Sequence, residues 1–268
     1  MGKMKERLAA NELVLCMSIG QARTVDIAMM VEASGFDAIY VDMEHTATSL
    51  ETASMLCAAS LGIGLTPMVR VPSHHPHDIS RALDTGAVGV VVPHVRTKAQ
   101  AEQIVRACRF PPLGDRSIIG PNPVSGYRPM RADAMVDYLN RETIVVAMLE
   151  SPEAIEQAEA IASVPGLDML LIGSYDLSAE MGILGKFQDQ RFRAAVAKAS
   201  EAARRHGKVM GIAGLKSELE LLAEFVAAGV RFISAGTDAG YFVEAARASA
   251  DKLRTITTNT IAPNKEVL

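Results

Sequence analysis

A chain of 268 residues with 49% hydrophobic residues, 4% aromatics, no Trp and a net charge of −4 is long enough for one large aliphatic core. It lacks the basic surplus that nucleic-acid binding requires. Cys16, Cys57 and Cys108 are odd in number and without CxxC spacing, which speaks against a disulfide framework or a zinc ribbon and for a reducing compartment. No run approaches the roughly 18 uninterrupted apolar residues of a membrane helix, and MGKMKERLAANE has no apolar centre of a signal peptide. The expected location is the cytoplasm, and the expected partner is a small molecule, with neither nucleic acid nor membrane involved.

Eight short aliphatic runs predict strands: LVLCMS, DAIYVDM, LTPMVR, VGVVVP, TIVVAML, DMLLIG, KVMGI and RFISAG. A segment with apolar residues at three-to-four spacing follows each of them. In chain order these are ARTVDIAMMVEASG, LETASMLCAASLG, HDISRALDTG, KAQAEQIVRACR, PEAIEQAEAIAS, RFRAAVAKASEAARRHG, ELELLAEFVAAG and GYFVEAARASADKLR. Strand then helix, eight times over, predicts a parallel α/β sheet. An open doubly wound sheet often carries a Gly-rich phosphate turn after its first strand, and neither GxGxxG nor GxxxxGK[ST] occurs here. The favoured fold is therefore a closed (β/α)8 TIM barrel, a single domain over residues 1–254, with a polar, aperiodic tail over 255–268. The Gly/Pro-rich stretch FPPLGDRSIIGPNPVSGYRPM, residues 110–130, interrupts the alternation and reads as a long functional loop serving a neighbouring subunit.

Barrel active sites lie at the C-terminal ends of the strands, and four of those ends carry acid, base or cation. Glu150 follows TIVVAML, and Asp176 follows DMLLIG in GSYDLS. Each carboxylate is either a ligand of one divalent cation, for which oxygen donors suit Mg2+ or Mn2+, or a favourable charge at the start of the next helix. His45, in VDMEH beside Asp42 and Glu44, is a candidate general base or a hydrogen-bonded structural His. Arg70 offers a planar fork to a carboxylate or enolate oxygen, or forms a salt bridge within the barrel mouth. Asp84, in RALDTG, is a candidate to orient the imidazole, or is turn chemistry ahead of Gly86. The run Ser73-His74-His75-Pro76-His77 lacks the spacing of a closed zinc site. A Schiff-base Lys inside the barrel is not evident: Lys208 begins the seventh strand at the wrong end, and Lys216 falls beyond it in a loop or helix.

VDMEH at 41–45, VR at 69–70, LDTGAVGVVVPHV at 83–95, RFPPLGDRS at 109–117, MLESPEAIE at 148–156 and IGSYDLSAEMG at 172–182 resemble the class II, metal-dependent pyruvate aldolases of the HpcH/HpaI type. These include 4-hydroxy-2-oxoheptanedioate and 2-dehydro-3-deoxyglucarate aldolases. Six motifs in order, spanning roughly residues 13–250, carry the resemblance. It implies reversible cleavage of a 4-hydroxy-2-oxo acid to pyruvate, or a close 2-oxo acid, and an aldehyde through a metal-stabilised enolate, in the catabolism of aromatic or sugar acids. It implies Glu150 and Asp176 as ligands of Mg2+ or Mn2+, with Co2+ or Zn2+ as substitutes. The backbone amides of Ser174, Tyr175 and Asp176 would receive the substrate carboxylate, Arg70 would stabilise the enolate, and His45 with Asp84 would form the acid/base pair. It further implies a hexamer, a trimer of dimers whose barrels exchange the C-terminal helix. One departure stands out: Met148 occupies a position where such enzymes often carry Gln. A CoA-thioester lyase of the malyl-CoA or citramalyl-CoA type, and a catalytically silent oxo-acid-binding relative, are the alternatives.

Overall fold

In this computed structural model, which describes residues 3–259, eight parallel strands close into a barrel in chain order. They are β1 (Val14–Ile19), β2 (Ala38–Asp42), β3 (Thr66–Arg70), β4 (Gly89–Val92), β5 (Ile144–Leu149), β6 (Met169–Gly173), β7 (Val209–Ala213) and β8 (Val230–Thr237). Period-two alternation sends one set of side chains inward, where Cys16, Ala38, Tyr40, Met68, Val146, Met148, Leu171 and Phe232 fill the barrel. The other set meets the surrounding helices in a larger outer core. Burial on both faces is why these strands read as continuous aliphatic runs.

The helices are α1 (Lys3–Ala9), α2 (Asp26–Ala33), α3 (Leu50–Gly62), α4 (Pro76–Asp84), α5 (Lys98–Cys108), α6 (Ala132–Glu142), α7 (Pro152–Glu156), α8 (Ala158–Ala162), α9 (Ser174–Glu180), α10 (Gln190–Arg205), α11 (Leu219–Ala227) and α12 (Asp238–Asn259). Three of them go beyond the eight expected from periodicity. α1 precedes the barrel, and its Met4 joins the interior cluster with Val14 and Cys16 at the end remote from the site. α6 follows the 110–130 stretch, and its Met135 and Leu139 pack on Phe110 in a small separate cluster. α9 is a short helix directly after β6. PEAIEQAEAIAS, expected as one helix, divides into α7 and α8 at Gln157. α12 continues five residues into the segment expected to be an aperiodic tail, and residues 260–268 of that tail lie outside the described residues.

The 110–130 segment is held down rather than free. Arg116 is buried, donates to Asp84 at 2.7 Å and stacks 4.5 Å from the Phe110 ring centroid. Asn122 and Ser125 cap each other's backbone around a 3-10 turn at Pro123–Ser125, and the Tyr138 hydroxyl of α6 donates to the Val124 carbonyl. Among the described residues, no helix is long and apolar enough to cross a membrane.

Candidate active site

Asp42 and Arg70 end adjacent strands in register, so their side chains meet at the barrel mouth. Arg70 Nε donates to Asp42 Oδ1 at 3.0 Å and Nη2 to Oδ2 at 2.7 Å, the two-pronged arrangement that fixes a guanidinium plane. Asp42 Oδ1 also accepts from the backbone amides of Glu44 and His45, at 3.0 and 3.3 Å. Burial works to raise the Asp42 carboxyl, but Arg70 and these amides outweigh it and hold the group below the usual carboxylate range. Burial likewise opposes the Arg70 charge, and the bond to Asp42 overcomes it. The remaining terminal nitrogen, Nη1, stands 3.1 Å from Glu44 Oε2.

Glu150, 2% exposed, extends from the end of β5. Its Oε2 accepts from the His94 backbone amide at 2.8 Å and lies 3.1 Å from His94 Nδ1. The other ring nitrogen of His94 is 3.1 Å from Glu44 Oε1. His94 reaches both carboxylates from a left-handed backbone conformation, φ +52°, immediately after β4 and Pro93. Glu150 Oε1 is buried with no hydrogen-bond partner. It lies against Gly173, where an added Cβ would stand 2.6 Å from that oxygen. Burial raises the Glu150 carboxyl above its ordinary range; the His94 amide opposes this, and the charges of Asp176 and Glu44 add to it.

Asp176 is the third residue of α9 and faces solvent. Gly173 caps this helix without a side-chain bond, and the Ser174 hydroxyl is buried without a partner. A cavity of about 360 Å³ opens here, lined by Tyr40, Arg70, Met148, Ser174, Tyr175 and Asp176 among others. Two neighbouring carboxylates, one with an orphaned buried oxygen, form a donor set that fits a divalent cation. Among the described residues no group of three or more His, Cys, Asp or Glu side chains is arranged to hold a metal.

The expected residues do not all converge. Arg70, Glu150, Ser174, Tyr175 and Asp176 share the mouth, and His45 stands on its rim with Nε2 3.5 Å from Glu44 Oε2. Asp84 ends α4 on the opposite side of the barrel, where its carboxylate is engaged by Arg116, so one chain does not bring it to His45. His75 caps α4 by accepting from the His77 amide, and His74 bonds the Pro93 carbonyl. Lys216 lies in the loop after β7, yet its side chain lines the cavity, paired with Glu244 and 4.5 Å over the Tyr241 ring. Asp42, Glu44 and His94 were given no role from sequence. All three stand at strand ends in VDMEH and VPHV, which was the available signal.

A family described as HpcH/HpaI aldolase/citrate lyase matches residues 20–245. The chain is 43% identical over 211 residues to the 4-hydroxy-4-methyl-2-oxoglutarate aldolase of Hapsidospora irregularis, covering 77% of this chain and 78% of that one. It is 30% identical over 256 residues to the 5-keto-4-deoxy-D-glucarate aldolase of Shigella boydii serotype 18, covering 94% and 96%. Among solved structures it is similar to the citrate synthase SbnG, with a TM-score of 0.84 at 30% identity over 96% of this chain and 99% of that one.

Proposed function

The chain belongs to the HpcH/HpaI aldolase/citrate lyase family, and from that membership we infer that it reversibly cleaves a 4-hydroxy-2-oxo acid to pyruvate and a second carbonyl compound. It is an aldolase, a carbon–carbon lyase. The observation that carries the reading is Glu150: a buried carboxylate with one oxygen unpartnered, a second carboxylate nearby, and a buried arginine in the same mouth.

Cleavage of the C3–C4 bond leaves the electron pair on the pyruvate fragment as an enolate. Arg70, its plane fixed by Asp42, stabilises that developing charge without having to reorganise. His45, on the rim beside Glu44, takes the C4 hydroxyl proton, and in the synthetic direction returns it. The Ser174, Tyr175 and Asp176 amides at the start of α9 receive the C1 carboxylate, with the unpartnered Ser174 hydroxyl as a further donor. Glu150 and Asp176 would hold a divalent cation, Mg2+ or Mn2+ by the oxygen character of the set, which supplies Lewis acidity toward the 2-oxo acid. His94 keeps Glu150 aimed through its amide and ring.

The fungal relative makes 4-hydroxy-4-methyl-2-oxoglutarate the first substrate to examine. Breaking its C3–C4 bond yields two molecules of pyruvate, so the second product is a ketone where an aldehyde was expected. The 5-keto-4-deoxy-D-glucarate relative supplies the second candidate. Pyruvate release from both, and from simpler 4-hydroxy-2-oxo acids, is measured with Mg2+ or Mn2+ present and alongside cleavage of malyl-CoA. Turnover of at least one hydroxy-oxo acid is expected; turnover of the CoA thioester alone overturns the reading.

The assembly is a homo-oligomer, a hexamer with α12 passing to a neighbour. Beyond its first turns α12 is exposed, and Phe242 is 74% exposed. A groove of about 420 Å³ beside its base is lined by Leu13, Leu15, Phe36, Leu222 and Val226, which suits an incoming apolar helix. Asp84 and the 110–130 segment would then serve a neighbouring copy's mouth. Three buried free cysteines accord with a reducing cytoplasm.

A further inference from the structure

The two sides of the barrel mouth differ in chemistry. Glu150 after β5 and Asp176 on α9 are carboxylates on one side; on the other, where the Asp42 carboxylate is taken up by Arg70, β8, β1 and β2 present the hydroxyls of Ser234, Ser18 and Tyr40, of which Ser234 is 3% and Tyr40 5% exposed. Ser18 and Tyr40 are register partners on adjacent strands, and Ser234 lies opposite Cys16, two residues before Ser18. The interior cluster around them is otherwise apolar, with Cys16, Ala38, Met68 and Phe232. A hydroxyl buried at such a place costs about 1–3 kcal/mol when it is left unpaired. The Ser234 hydroxyl completes no hydrogen bond of ordinary geometry, although it and the Ser18 hydroxyl lie near enough to the Tyr40 phenol to act on its oxygen.

These groups line the same cavity as Ser174 and Asp176, so one small molecule touches both sides. Arg70 stands over the Tyr40 ring at 5.7 Å, with its charge shared by Asp42 and Glu44. Burial pushes the phenol above its ordinary range, opposed by Arg70 and by the Ser18 and Ser234 hydroxyls. Three hydroxyl donors beneath a guanidinium suit an acceptor-only ligand, and a carboxylate is that ligand. The other cation of the cavity, Lys216, is already engaged by Glu244 and Tyr241.

We propose that Ser18, Tyr40 and Ser234 form a subsite for the distal carboxylate of a dicarboxylic 2-oxo acid, whose 2-oxo end faces Glu150 and α9. The inference rests on the aldolase reading for that orientation, and selects diacids among the possible substrates. Met148 forms the apolar wall between the two ends, against which the aliphatic middle of the ligand packs.

Calorimetric titration of the Mg2+-loaded full chain with 2-oxoglutarate and with 2-oxopentanoate, equal in length but methyl-ended, tests it. The wild-type protein is expected to prefer 2-oxoglutarate by about tenfold, the scale of one charge-assisted hydrogen bond. Tyr40→Phe and Ser234→Ala each erase most of that preference while 2-oxopentanoate binding moves less than about twofold, and Lys216→Met retains it. No preference in the wild-type protein, equal weakening of both ligands in the variants, or a preference lost only in Lys216→Met overturns the subsite. Because binding is read without turnover, a preference without cleavage defeats the aldolase reading alone, and cleavage without a preference defeats the subsite alone.

Discussion

Gly173 is where the site tolerates least. Its backbone is ordinary, but a Cβ there would stand 2.6 Å from Glu150 Oε1 and 2.9 Å from Met148 Cε, so any side chain displaces the carboxylate. Gly173→Ala is expected to fold and to weaken Mg2+ affinity by about 10- to 100-fold, as when a supporting contact to a metal ligand is lost; unchanged affinity by calorimetry removes Glu150 from the metal site. Arg70→Lys retains a charge but not the fork that meets both Asp42 oxygens. A loss of about 10²- to 10³-fold in kcat/KM is expected, and near-wild-type kinetics would leave Arg70 a purely structural ion pair. The position of Glu150, Asp176 and Arg70 at the barrel mouth was legible because each follows an aliphatic run at a strand's C-terminal end. The bridging of Glu44 and Glu150 by His94 was not legible, since it depends on a left-handed turn after Pro93 that no periodicity encodes.

Most elements were legible from their alternation of aliphatic runs with segments of three-to-four apolar spacing. α5 and α10 bury regular stripes and were read from spacing, whereas α6, whose apolar residues are as frequent, follows directly on the Gly/Pro-rich 110–130 stretch and covers only the local cluster around Phe110. α9 was obscured because it is only seven residues long and follows β6 directly. The junction of β8 and α12 shows how one side chain ties elements together. Asp238 accepts from the Gly20, Gln21 and Ala22 amides at 3.0, 2.9 and 2.6 Å and from its neighbour Ala239 at 2.8 Å, locking the β1–α2 loop to the start of α12. Burial works to raise this carboxyl, but the amides prevail and hold it below its usual range. A depressed folded value means that the contribution is fully present above the unfolded pKa of about 3.9 and is lost as pH falls through the folded value. Asp238→Asn is therefore expected to cost about 1–2 kcal/mol at pH 7 in urea unfolding, with the gap to wild type narrowing below about pH 4. A gap independent of pH would show that packing, not charge, fixes the junction.

The closed barrel itself was legible because eight repeats of strand and helix leave few other topologies. What the repeats do not encode is how barrels meet. α12 touches its own barrel through β1 and β8, then continues with Phe242, Val243 and Leu253 exposed. In the proposed hexamer this face is covered, so Phe242→Asp with Leu253→Asp is expected to reduce the mass seen by light scattering while helical circular dichroism persists. A wild-type protein that is monomeric at micromolar concentration would refute the exchange.

The most direct measurement is pyruvate formation from 4-hydroxy-4-methyl-2-oxoglutarate by protein stripped with chelator and then reloaded with Mg2+ or Mn2+, alongside Glu150→Gln taken through the same cycle. Activity should disappear on stripping, return on reloading the wild-type chain and fail to return in Glu150→Gln. Turnover that survives complete metal removal, or that Glu150→Gln recovers in full, would mean that the carboxylates at the ends of β5 and β6 do not carry the reaction.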